Sequence, residues 1–214
     1  MFVFVQFPDP KQEKGFPIKS GVGLLKSPAL LLAGFFLFFT SGSEGLVNNW
    51  VTTYLEKVLR VSSGKALLAL SVLTLTLTLS RWILGKLLGL FSSKVLFLLF
   101  IFLELTASMI MYLASGYHVF MIGIIVLGLG MAAAFPIMLG YVAELFSDLS
   151  GTAFSVVLVI ALTGNLIINY SMGIIANTEG IEVLPWMLML CFLTMMILLQ
   201  IFFFLTQGKL RFKP

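Results

Sequence analysis

Residues Leu30–Tyr54 read LLLAGFFLFFTSGSEGLVNNWVTTY, and the fold turns on how that stretch is placed. As a helix it measures roughly 37 Å, enough to cross a bilayer. Yet Glu44, Asn48 and Asn49 stand within it. A charge at mid-membrane costs about 2.5 to 3.5 kcal/mol on insertion scales, and such residues normally face a bundle interior or a watery cavity. Glu44 and Asn48 are four apart and share one helix face, with Ser41 one turn earlier. That face is expected to wall a polar route through the membrane. Trp50, beside Asn49 toward the outer end, either joins the wall or anchors the helix at the interface.

Composition agrees with a membrane setting. Of 214 residues, 60% are apolar and 10% charged, and mean hydropathy is +1.11; a soluble domain carries about 25% charged residues. The net charge of +4 does not point to nucleic acid, because Lys and Arg sit in short connections and tails, where they orient helices. The single cysteine, Cys191, lies in an apolar run and reads as a small buried hydrophobe. The sequence has no phosphate loop and no metal-binding spacing. Its one histidine, His118, falls in a loop at a membrane edge. Neither an enzyme nor a cofactor nor a metal is expected.

Outward from Leu30–Tyr54, six apolar segments follow: 28–54, 66–80 (extendable to 84), 95–113, 119–143, 152–175 and 183–206. Each approaches the length needed to cross. The second contains SVLTLTLTLS, whose alternation alone would suggest a strand. A lone strand cannot satisfy its backbone in lipid, so helix is expected there. Residues 1–27 read as the end of a preceding helix (Met1–Phe7) plus a cytoplasmic linker with a short surface helix near Val22–Leu25; residues 28–207 form the bundle and 208–214 a cytoplasmic tail. With six crossings both tails share a side. That side collects Lys11, Lys14, Lys19, Lys26, Arg81, Lys86, Lys94, Lys209, Arg211 and Lys213, against Lys57, Arg60 and Lys65 opposite. Ten bases against three place both termini in the cytoplasm.

Three further constellations carry polar or mobile chemistry. The fourth segment holds GLGMAAAFPIMLGY, in which Gly128 and Gly130 admit a close neighbour and Pro136 frees the carbonyl four residues earlier and bends the helix. That combination suits a gate, or simple tight packing. The fifth places Asn165, Asn169 and Gly173 on one stripe; amides suit neutral polyhydroxy ligands as well as helix-to-helix hydrogen bonds. In SRWILGKLLGLFSSK, Arg81, Gly85 and Lys86 are expected at the cytoplasmic surface, orienting the protein or latching onto a helix end or Glu144. Glu104, mid-way along the third segment, is expected to pair with Thr74, Thr76 and Thr78 or to remain uncharged.

The order of these features resembles the C-terminal half of a major facilitator superfamily transporter. SRWILGK after the second segment, GLGMAAAFP in the fourth and GTAFSVVLVIALTGNLIINYSMGIIAN as the fifth carry the likeness. EGLVNNWVTTYL in the first is most similar to the fucose permease type of bacterial sugar and proton symporters. The resemblance covers about residues 1–207. It implies an all-α membrane fold of two inverted three-helix repeats, with the first and fourth helices lining a cavity and the third and sixth packed outside. It further implies alternating access with a missing N-terminal six-helix half or a second copy, a small polar solute such as a sugar, and protons as the coupling ion. Glu44, Asn48 and Asn49 would match the cavity position on the first helix, and Asn165 the wall on the fifth. Two places depart from the pattern: Ser80 stands where an Asp is usual, and Ser147 with Asp148 occupies a loop that often carries Arg. The acids linked to proton coupling in fucose permeases belong to the N-terminal half. A structural or assembly subunit without a solute pathway is the alternative from another class.

Overall fold

The structure, a computed structural model, describes residues 23–207. The expected linker and tail fall mostly outside them. Seven α-helices make six membrane-length spans: α1 (Pro28–Lys57), α2 (Ser63–Leu87), α3 (Ser93–Leu113), α4 (Tyr117–Gly130) with α5 (Ala134–Leu145), α6 (Ser150–Thr178) and α7 (Leu184–Thr206). Pro28 opens α1, where its missing N–H costs nothing. Ser92 caps α3, its hydroxyl accepting from Val95 N at 3.4 Å.

α2 is helical throughout, against its strand-like alternation. Its hydroxyls explain how the threonines are tolerated: Thr74 donates to Leu70 O at 3.0 Å and Thr78 to Thr74 O at 2.8 Å, so each O–H is satisfied inside its own helix. The helix also runs past the expected end. Arg81, Gly85 and Lys86 therefore lie within α2 and not in a surface connection, because nothing in SRWILGKL breaks the ladder before Leu87. With Arg81 set aside, the bases in tails, loops and helix ends still divide nine to three.

The fourth span is broken, not merely bent. Its ladder closes with Met131 N to Leu127 O at 2.9 Å and restarts with Ile137 N to Ala133 O at 3.1 Å. Pro136 has no N–H to give Ala132.

The two halves of the bundle repeat each other's packing. α1 packs on α6 and α7, most extensively on α6; α4 packs in the corresponding way on α2 and α3, most extensively on α3. These correspondences are those of two inverted three-helix repeats. α1 and the fourth span occupy the middle, 67% and 61% buried over their apolar windows against 22% for α2 and 28% for α6. Apolar chains gain little by leaving lipid for one another, so close contact of small residues supplies the attraction. Gly164 on α6 sits against the backbone of Phe38 on α1, and Gly45 on α1 against the amides of Asn165 and Asn169. On the symmetric side Gly128 presses on Thr76 and Leu73 of α2, while Gly130 presses on Phe100 and Glu104 of α3.

Candidate solute site

α1 carries polar groups on two faces, and they meet different fates. On the first face Glu44 Oε1 forms an ion pair with Arg81 Nη2 of α2 at 3.5 Å, with both side chains partly exposed. Arg81 lies six residues, about 9 Å of helix rise, inside the end of α2 at Leu87. Its long side chain brings the guanidinium to the carboxylate. The pair opens on a cavity of about 170 Å³ walled by Glu44 and Asn48 of α1, Leu73, Thr74 and Leu77 of α2, and Met131 in the unwound turn. Arg81 thus meets Glu44, a partner not named among the sequence readings of an orienting base or a latch to a helix end or Glu144. Lys86 holds its ammonium over the Trp82 ring at 5.1 Å, and Gly85 borders open space.

The unwound turn is tied to this cavity by a second contact. Ser80, beside Arg81, donates its hydroxyl hydrogen to Leu129 O at 3.1 Å. That carbonyl lies at the broken stretch of the ladder and needs a donor. An ionised Asp at position 80 could only accept. The departure at Ser80 therefore has a local use: the hydroxyl holds the break.

On the second face of α1 the amides are engaged between helices. Asn165 Nδ2 donates to Ser41 O at 2.8 Å. Asn169 Nδ2 donates to Asn165 O at 2.9 Å, while Asn169 Oδ1 accepts from Asn49 Nδ2 at 3.1 Å and from Trp50 Nε1 at 3.2 Å. A Cβ at Gly173 would lie 3.7 Å from the Trp50 ring, in ordinary contact. Of the two readings the sequence leaves open for Asn165 and Asn169, solute contact and helix-to-helix hydrogen bonding, these bonds supply the second, and Asn49 and Trp50 join the same ladder between α1 and α6. The reason is steric: Gly45 removes the Cβ that would hold the helices apart, so the amides reach across. Trp50 gives its N–H to this ladder and not to the interface.

Glu104 is 1% exposed, and its Oε2 has no hydrogen-bond partner among the described residues. The expected threonine partners are occupied, since Thr74, Thr76 and Thr78 all donate to carbonyls of their own helix. Ser108 likewise donates to Leu105 O at 2.8 Å. Cys191 is buried, as expected, and His118 is exposed beside Tyr117. Thr74 and Met131 were not singled out in the sequence as site residues. The spacing Ser71, Thr74, Thr78, Arg81, which places all four on one face of α2, was the signal that could have found Thr74.

A family model described as Major Facilitator Superfamily matches residues 2–167. The structure superposes on the E. coli fucose:proton symporter FucP with a TM-score of 0.78 at 17% identity, covering 93% of this chain and 50% of that one. A peptide transporter, POT, in complex with alafosfalin gives 0.68 at 16% identity (84% and 38% covered). The POT family transporter PepTSo gives 0.67 at 15% (88% and 39%). No curated protein matches by sequence. The chain spans about half the length of FucP, so its six spans correspond to one half of that fold. With the family model matched over most of its length and the inverted-repeat packing in place, the chain belongs to the major facilitator superfamily.

Proposed function

We propose that the chain is the C-terminal half of a secondary active transporter that moves a sugar or similar small polar solute by alternating access, coupled to protons. It resides in the plasma membrane with both termini cytoplasmic. One observation carries the reading: the Glu44–Arg81 pair faces an opening beside an unwound turn instead of being sealed between helices. Discontinuous helices near the midplane are where transporters of inverted-repeat design bind their cargo. The groups present are a carboxylate acceptor, a guanidinium donor, the Asn48 amide and the Thr74 hydroxyl. Together they are net neutral and offer donors and acceptors at once, as a polyhydroxy solute requires. FucP, with a higher TM-score than the peptide transporters, is a fucose:proton symporter, which favours a sugar over a peptide.

The cavity of about 170 Å³ is smaller than ligand pockets of about 300 to 1,000 Å³, as one wall of a two-walled cleft would be. The second wall belongs to a companion bundle, either an N-terminal half or a second copy, and the two rock about the site with Gly128, Gly130 and Pro136 at the moving turn. The hydrogen-bonded Asn165–Asn169 ladder is the feature a purely structural subunit would also have; an open ion pair is not. Uptake of labelled fucose, galactose and glucose into proteoliposomes tests the reading. The chain with its companion bundle should accumulate at least one of them, and the purified monomeric chain none. Uptake by the monomer would contradict the two-walled site, and Glu44→Gln transporting like wild type would remove Glu44 from it.

A further inference from the structure

A second polar site lies at the end of the bundle where α3 begins and α7 finishes, away from the Glu44 cavity. Here Lys94, Gln200, Ile201, Phe203, Phe204 and Gln207 line an open groove of about 400 Å³. Three features set it apart from an ordinary outer surface.

Its position in the bilayer comes first. Trp186, Leu190, Leu193, Ile197 and Phe204 are exposed along α7, at spacings that make one apolar stripe. Such a stripe on an outer helix of a membrane bundle faces acyl chains. Gln200 is exposed within that surface, and its amide has no hydrogen-bond partner among the described residues. It stands six residues, about 9 Å of rise, inside the end of α7 at Thr206, just below the headgroup layer. A bare amide in hydrocarbon is costly, so a polar group at ester depth is its natural partner.

Charge is the second feature. Lys94, the second residue of α3, holds its ammonium 5.2 Å from the centroid of the Phe203 ring, and no carboxylate pairs with it among the described residues. The Phe203 ring thereby keeps the cation at the mouth of the groove, level with Gln207 just past the end of α7. Layering is the third. Ammonium and amide at the rim, Gln200 deeper along α7, and the exposed Ile197 and Leu193 deeper still match, in order, a phosphate, a glycerol ester and an acyl chain.

We propose that this groove binds one anionic phospholipid, with Lys94 and Gln207 on the phosphate, Gln200 on a glycerol ester carbonyl, and the chain continuing over Ile197 and Leu193. Basic pockets between membrane helices favour anionic headgroups. The site is independent of the solute cavity and stands whichever solute is carried.

Native mass spectrometry of the intact chain, delipidated and then titrated with phosphatidylglycerol or phosphatidylcholine, tests the assignment. One phosphatidylglycerol should be retained about fivefold better than phosphatidylcholine, the increment of one base near the surface. Lys94→Gln should abolish that preference. Gln200→Leu, which removes a lipid-exposed amide and so should fold at least as well, should weaken retention of both lipids. Lys65→Gln, at the opposite end of the bundle, should change nothing. Equal retention of the two lipids by wild type, or an unchanged preference in Lys94→Gln, would overturn the site. Displacement of the bound lipid by inorganic phosphate at equal concentration would show a free-anion site and overturn the lipid assignment.

Discussion

The two polar faces of α1 make an internal comparison on a single helix. Toward α6, Ser41, Gly45 and Asn49 meet Asn165 and Asn169 with the donors and acceptors matched and no room to spare. Toward α2, Glu44 and Asn48 meet Arg81 across an opening. What separates them is the size of the opposing residues. Glycines at 42 and 45 on α1 and at 164 on α6 draw that pair of backbones together. The α2 side presents Leu73, Leu77 and a long arginine, which keep the helices apart and leave a space polar groups can share with water or solute. Amides in the first setting act as glue; charges in the second remain available.

Changes on the closed face should cost stability, and changes on the open face should cost transport. The largest effect is expected for Gly164→Leu, whose side chain must enter the Phe38 backbone. Overpacking costs about 1 to 3 kcal/mol where side chains can yield, and backbone yields less, so about 3 kcal/mol is expected in reversible unfolding in detergent. A loss below about 1 kcal/mol would mean the α1–α6 contact is loose and the comparison fails.

On the open face, Glu44→Gln and Arg81→Gln should each lower solute uptake by about tenfold, worth about 1.4 kcal/mol. Each should shift unfolding by no more than about 1 kcal/mol, since partly exposed pairs contribute little. Should either variant unfold the bundle instead, the pair is scaffold and the two faces are alike.

Glu104 supplies a third case, a buried polar group with an unmatched oxygen. Glu104→Met should leave stability unchanged or raise it by about 1 kcal/mol, because replacing an unsatisfied polar group by an apolar one of similar shape removes a desolvation cost. A clear loss of stability would reveal a partner acting in another conformation. The smallest effect is expected for Asn169→Leu, at about 0.6 kcal/mol and at most about 1.7, the range for interhelical hydrogen bonds in membranes. The opposite signs at Glu104 and Asn169 would separate matched from unmatched burial directly.

Much of this architecture is legible without coordinates, and particular residues show why. Six spans follow from apolar run length, and α2 is recoverable despite SVLTLTLTLS because lipid forbids an unpaired strand. The break near Pro136 follows from a missing N–H. The partner of Arg81 does not, since only the antiparallel pairing of α1 with α2, together with the continuation of α2 past Ser80, sets it opposite Glu44. Nor does the division among the polar residues of α1: Asn48 and Asn49 are adjacent, and one lines the cavity while the other bonds to α6.

The sequence by itself determined that the chain crosses the membrane six times, which residues are too polar for lipid, and where one helix must bend. Those are properties of single segments against a uniform solvent. Only the tertiary structure decided which of those polar residues are consumed by neighbours and which are left open. That choice depends on how closely two particular helices approach, and hence on residues more than a hundred positions apart, such as Gly45 and Asn165.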